Sequence, residues 1–218
     1  AIIAKVDGVT SSSRAIVQTF LKQLLSNEQV EAYLKIFDEF LEAHHQVSKK
    51  KDGSQKRTSL NSVKVLKICT QINAELEQKQ KIVVLLRLIE FIHSSNEISE
   101  QEMEFVQTVA ETFNVDTEEF KQILNFIQNS EAQIPDSPTT LIVDHNKENP
   151  YKESKHIFSE GITGQLRVLF IDSVNMYILM YFGTSDLLLN GQNLAPAKVY
   201  ILTEGSSIRS SKVAPFYY

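Results

Sequence analysis

The chain has 218 residues, enough for one large domain or two ordinary ones. Its hydrophobic share of 42% can support a packed core and excludes wholesale disorder, and a net charge of −5 without a dominant basic stripe argues against nucleic-acid binding. A single cysteine, Cys69, excludes an intrachain disulfide and points to a reducing compartment.

In chain order, the first half has helical periodicity. Ile16, Val17, Phe20, Leu21 and Leu24 recur at the spacing of one helix face, and Tyr33, Ile36, Phe37, Phe40 and Leu41 do the same. Val65, Ile68, Cys69, Ile72 and Leu76 mark another helix, with Cys69 as a buried structural thiol on its apolar side. The run Ile82 to Ile92 is apolar almost all round, interrupted only by Arg87 and Glu90, as expected of a helix at the centre of a bundle. Met103, Val106, Val109, Ala110 and Phe113, then Phe120, Ile123, Leu124 and Ile127, complete the helical set.

Three helix starts carry capping signatures. Ser99 with Glu102 is a capping box, with Ile98 and Met103 placed as its hydrophobic staple. Asp116 with Glu119, between Val115 and Phe120, repeats the arrangement, as does Ser26 with Gln29 between Leu25 and Val30. These starts align two copies of a helix–hinge–helix unit, one beginning at Val9-Thr10 and the other at Ile98-Ser99. A full helix precedes the second hinge, whereas only Ala1 to Val6 precede the first. Together with the abrupt ends "AIIAKVDG" and "VAPFYY", this reads as a segment of a longer polypeptide.

From Ser130 the texture changes. "IPDSPTT" and "VDHNKENPYKES" are proline- and turn-rich and read as a linker over 130–155. Leu166–Ile171 and Met176–Phe182 then read as a hairpin with a longer loop, Asn190-Gly191 as a tight hairpin turn, and Lys198–Thr203 as a further strand. The expected organisation is a helical bundle over 1–129, a linker over 130–155 and a small antiparallel β module over 156–218, an α+β chain.

Few constellations carry chemistry. Asp7-Gly8 invites a calcium-loop reading, but Val9, Ser13 and Arg14 stand where further oxygen ligands are needed, and Asn96 and Glu97 in the second copy are too few. His44 and His45 diverge by about 100° on a helix and cannot face one partner; with His93, His145 and His156 they read as surface histidines. Lys49–Arg57 could touch an anionic membrane surface, although a solvated loop is the simpler reading. No nucleophile elbow, P-loop or paired-cysteine zinc motif is present, and nothing in the spacing of Glu90, Glu102 or Asp172 recommends an active site. In the β half, Gly, Ser and Arg of "EGSSIRSSK" could cradle a phosphate or phosphopeptide, though a plain turn accounts for them too. The candidate interaction residues are therefore Asn190, Gly191, Ser206 and Arg209, with no catalytic, cofactor-binding or metal-binding residue expected.

"AKVDGVTSSSR" and "HSSNEISEQEMEFVQTVAETFNVDTEEF" resemble the TerB-like tellurite-resistance helical fold over roughly residues 1–128. The family pattern is an apolar helix, a D-G-x-[IV]-[ST] hinge and a helix with an early Glu. Ser13 replaces that Glu in the first copy and Ser95-Asn96 replaces Asp-Gly in the second, so the family's metal-binding acids do not carry over. "LLLNGQNLAPAKVYILTEGSSIRSSKVAPFYY" looks like a stretch of certain bacterial ABC transporter ATP-binding proteins, where a TerB-like region and a small β module loosely similar to forkhead-associated domains precede the cassette. This resemblance implies a non-catalytic, cytoplasmic N-terminal region, held near the membrane through a larger transporter. Its partners would be the downstream ATPase or transport domains and other proteins. The rival is a stand-alone TerB-like module that senses a metal or ligand.

Overall fold

The computed structural model describes residues 66–67, 69–93, 98–129, 133, 136–211 and 215–217, together with Gln18, Glu28, Val30, Glu31, Leu34, Lys35 and Asp38. The chain divides into two compact units, Ala1–Thr117 and Glu118–Tyr218. The architecture is α+β, helical first and then β-sheet, as the periodicity predicts.

In the helical unit the apolar run forms α1, Gln78–His93. Ile82, Leu85, Leu86, Ile89 and Ile92 have no exposed surface, and each would cost about 2–5 kcal/mol if cut back to Ala. The two interruptions of the run, Arg87 and Glu90, form an ion pair one turn apart, which lets both lie half-buried on a helix that is otherwise enclosed. Cys69 is 4% exposed, and burial pushes its thiol up from the ordinary value, in keeping with an inert structural cysteine.

Helix α2, Glu100–Thr112, starts as its capping box predicts. The Ser99 N–H donates to Glu102 Oε2 at 2.9 Å, and the Glu102 N–H donates to Ser99 Oγ at 3.3 Å. Its end is a Schellman closure on Asn114 (φ 54°): the Asn114 N–H donates to the Glu111 carbonyl and the Val115 N–H to the Ala110 carbonyl, each at 3.0 Å. Amides of preceding residues take two of the remaining carbonyls of that end. Gln78 Nε2 donates to the Phe113 carbonyl at 2.9 Å, and Asn73 Nδ2 donates to the Thr112 carbonyl. Asn73 Oδ1 in turn accepts from the buried Lys81 ammonium at 3.1 Å.

Of the first helical copy the described residues are the buried Val30 and Leu34, the exposed Glu28, Glu31 and Lys35, and the partly buried Gln18 and Asp38, all helical. The Ser26 cap, the Asp7-Gly8 and Asn96-Glu97 hinges, His44, His45 and Lys49–Arg57 lie outside the described residues.

The β unit departs from the sequence reading in two places. Helix α3, Thr117–Gln128, ends the helical half, and from Glu118 it counts with the second compact unit. The carboxylate of Glu119 near its start accepts from the Ser173 N–H (3.2 Å) and hydroxyl (2.6 Å), and the carbonyl of Asn129 just beyond its end accepts from Arg167 Nη1 at 3.3 Å. The expected linker 130–155 holds a strand, β1, Thr140–Asp144. The module is also not wholly antiparallel, because β1 pairs in parallel with β2, Lys155–Phe158.

The remaining strands are β3 (Gly164–Ile171), β4 (Met176–Gly183), β5 (Leu188–Leu189), β6 (Gln192–Asn193), β7 (Tyr200–Leu202), β8 (Ser207–Arg209) and β9 (Phe216–Tyr217). They form a five-stranded sheet in the order β2-β1-β3-β4-β7 and a four-stranded antiparallel sheet in the order β6-β5-β8-β9. The sheets pack face to face around Val143, Leu166, Val168, Leu179, Tyr181, Leu189 and Ile208.

Strands β3 and β4 read as unbroken apolar runs because both their faces are buried. Leu166, Val168, Leu179 and Tyr181 point into the sandwich, while Leu169, Ile171, Ile178 and Met180 are buried on the opposite face. As the sequence predicts, they form a hairpin with a longer loop, closed by a 3-10 turn over Asp172–Val174 and by Asn175 at φ 45°.

Candidate interaction groove

The sandwich is incomplete along one side. An apolar groove of about 430 Å³ lies along the inner face of the five-stranded sheet, from Ile157 of β2 to Leu202 of β7, with Ile208 of β8 and Phe216 and Tyr217 of β9 also lining it. Its lining includes Leu141 and Val143 of β1, Ile157 of β2, Leu166 and Val168 of β3, and Phe216 of β9. The four-stranded sheet is built from strands of two or three residues and ends at β9, so it leaves Leu141 of β1 and Ile157 of β2 only partly covered, although Val143 is buried. At the mouth, Ile157 is 42% exposed and Tyr217 72% exposed. Strand alternation places Lys155 on the same face as Ile157, where it also lines the groove.

The four residues singled out from sequence do not converge on a phosphate. Asn190 (φ 52°) and Gly191 (φ 85°) form the expected hairpin turn between β5 and β6. The Asn190 side chain is occupied: its Oδ1 accepts from the Ser207 N–H at 2.9 Å and its Nδ2 donates to Ser206 Oγ at 3.3 Å. Ser206 is 3% exposed, and its hydroxyl also accepts from the Thr203 N–H at 3.1 Å. Asn190 and Ser206 therefore tie the β5–β6 turn to β8. Ser206 also lines the groove, whereas Arg209 is exposed on β8 with its guanidinium 5.9 Å from the Tyr217 ring centroid.

A second polar cluster lies on the other face of the five-stranded sheet, which sequence reading missed. His156, taken as a surface histidine, has a side chain only 5% exposed, and its Nε2 lies 2.9 Å from Asp144 Oδ1. Gln165 Nε2 donates to Asp144 Oδ2 at 3.2 Å and to the Tyr151 hydroxyl at 3.0 Å, while Gln165 Oε1 accepts from Arg167 Nε at 2.6 Å. Arg167 has no exposed surface and stacks 4.4 Å over the Phe182 ring. Burial pushes the Asp144 carboxyl up, but hydrogen bonds from His156, Asn146 and Gln165 outweigh it, and the net shift is downward. These groups bond chiefly to one another and hold β1, β2 and β3 in register, which is a structural role.

The distant acids have structural roles as well. Glu102 caps α2 and Glu90 pairs with Arg87, while at Asp172 it is the backbone carbonyl that accepts the Asn175 N–H in the β3–β4 turn. His93 and His145 are exposed, as expected. Among the described residues no group of three His, Cys, Asp or Glu side chains could hold a metal ion, and no helix is long and apolar enough to cross a membrane. The groove could have been suspected from "LIV" and "KHIF", two short apolar segments inside polar surroundings. Their neighbourhood in the sheet was the missing information.

The family model for tellurite resistance protein TerB matches residues 1–125. No curated protein and no solved structure matches the sequence. With more than half of its length matched, and with a helical first half of the kind the resemblance implies, the chain belongs to the TerB family.

Proposed function

We propose that the chain is a non-catalytic regulatory or scaffolding region of an ABC-type ATP-binding protein, acting through contacts with the ATPase or transport domains and other protein partners. The observation that carries this reading is the open apolar groove beside β9, a shape suited to protein segments and lined by few groups able to do chemistry. The resemblance of residues 187–218 to the segment preceding such cassettes, and membership of the TerB family over residues 1–125, are consistent with it. The test is ATP hydrolysis by the polypeptide or complex in which the chain occurs, compared between wild type and Ile157→Lys. A change in rate with the cassette itself intact supports the reading. An unchanged rate, or ATP hydrolysis by the isolated chain, overturns it.

A further inference from the structure

We infer that the groove accepts an extended, acidic segment of a partner protein, which adds as a strand to the free edge of β9; this rests on the protein-contact reading above and names the partner's chemistry. Strand β9 pairs with β8 on one side, and no strand pairs with its other side among the described residues. Both β9 residues, Phe216 and Tyr217, line the groove, so a strand laid along that edge would extend the four-stranded sheet.

The side-chain preference follows from the pleat. Residues of the added strand that point inward would meet Leu141 and Ile157, which selects apolar side chains at alternate positions. Charge selects between partners that share this pattern. Lys155 lines the groove, and no hydrogen bond or ion pair engages its ammonium among the described residues. Arg209 stands on the neighbouring strand over Tyr217, with an aromatic ring as its contact and no carboxylate paired to it among the described residues. Lys155 within the groove complements a segment carrying a carboxylate and disfavours a basic one, while Arg209 lies on the face of β8 opposite the groove-lining Ile208.

The experiment uses fluorescently labelled soluble peptides in which Val alternates with Thr, one form ending in paired Glu and the other in paired Lys. Anisotropy is read against the full chain, which contains no Trp to interfere. Saturable binding of the Glu peptide is expected, weakened about tenfold or more by Lys155→Glu and by Ile157→Lys. Lys155→Glu should simultaneously improve binding of the Lys peptide, a gain that misfolding cannot produce. Hydrogen exchange should show new protection at β9 when the Glu peptide is bound. Equal binding of both peptides, binding without protection at β9, or self-association that the peptide does not displace would each overturn the inference. Absence of peptide binding, with Ile157→Lys still altering ATP hydrolysis, overturns the acidic-strand proposal while leaving the regulatory reading standing.

Discussion

The buried network on the sheet's outer face permits a sharp thermodynamic prediction. Arg167 is fully buried and reaches Asp144 only through Gln165, whose amide bonds to both. Replacing Arg167 with Met keeps an unbranched side chain over Phe182. It removes the donors to Gln165 Oε1 and the Asn129 carbonyl and leaves the Asp144 carboxylate without that cation. One or two buried acceptors lose partners at about 1–3 kcal/mol each, so a destabilisation of about 3–5 kcal/mol is expected. Asp144→Asn, which removes the carboxylate that His156 and Gln165 bond, should cost about 2–4 kcal/mol. The double variant should be less damaged than the sum, with a coupling of about 1–3 kcal/mol, because both changes act on the same Gln165 amide.

Urea unfolding of the four proteins at neutral pH supplies the cycle, and its pH dependence supplies a check. The Asp144 carboxyl is held below its unfolded value, so its contribution is present in full above that value, about 3.9. It is lost as pH falls through the folded pKa. Stability should therefore fall with acid in the wild type and less steeply in Asp144→Asn. Strictly additive single variants, or identical acid limbs, would refute the network as an energetic unit.

Three further outcomes follow from single contacts. Thr140 is 1% exposed and its hydroxyl has no partner among the described residues, so Thr140→Val should stabilise the β unit by about 1 kcal/mol, read as a higher urea midpoint. A Cβ on Gly164 (φ 93°) would lie 2.0 Å from the Phe182 carbonyl oxygen, so Gly164→Ala should cost about 3 kcal/mol or more, measured by thermal unfolding. The exposed Asp136 carboxylate accepts from the backbone N–H groups of Ser154, Lys152 and Glu153, which lower its pKa to about 2. Hydrogen exchange at those amides should stay slow above the unfolded value, quicken as pH falls toward 2 after correction for intrinsic rates, and be fast at all pH in Asp136→Ala.

The parts of the fold legible in the sequence are those governed by near neighbours along the chain. Ser99 and Glu102 are one turn apart, Asn190 and Gly191 are adjacent, and Arg87 and Glu90 are three residues apart, so each pairing could be read or rationalised locally. Strand β1 was missed because only Leu141, Ile142 and Val143 are apolar and prolines and polar residues surround them. Its status as an inner strand comes from pairing with β3, more than twenty residues away. The same holds for α3, whose helical form is local while its attachment rests on Ser173 and Arg167.

For the site the balance tips further toward tertiary structure. The sequence by itself determined the α+β order, the enclosed character of α1, the Ser99 cap, the β3–β4 hairpin and the Asn190-Gly191 turn, because periodicity and capping act within a few residues. Only the folded chain decided that Ser206 is a buried tie, that His156 lies against Asp144, and that Lys155, Ile157 and Phe216 share one groove. The physical reason is that strand side chains acquire a face and neighbours only when register is set, and register here is set by partners distant in sequence.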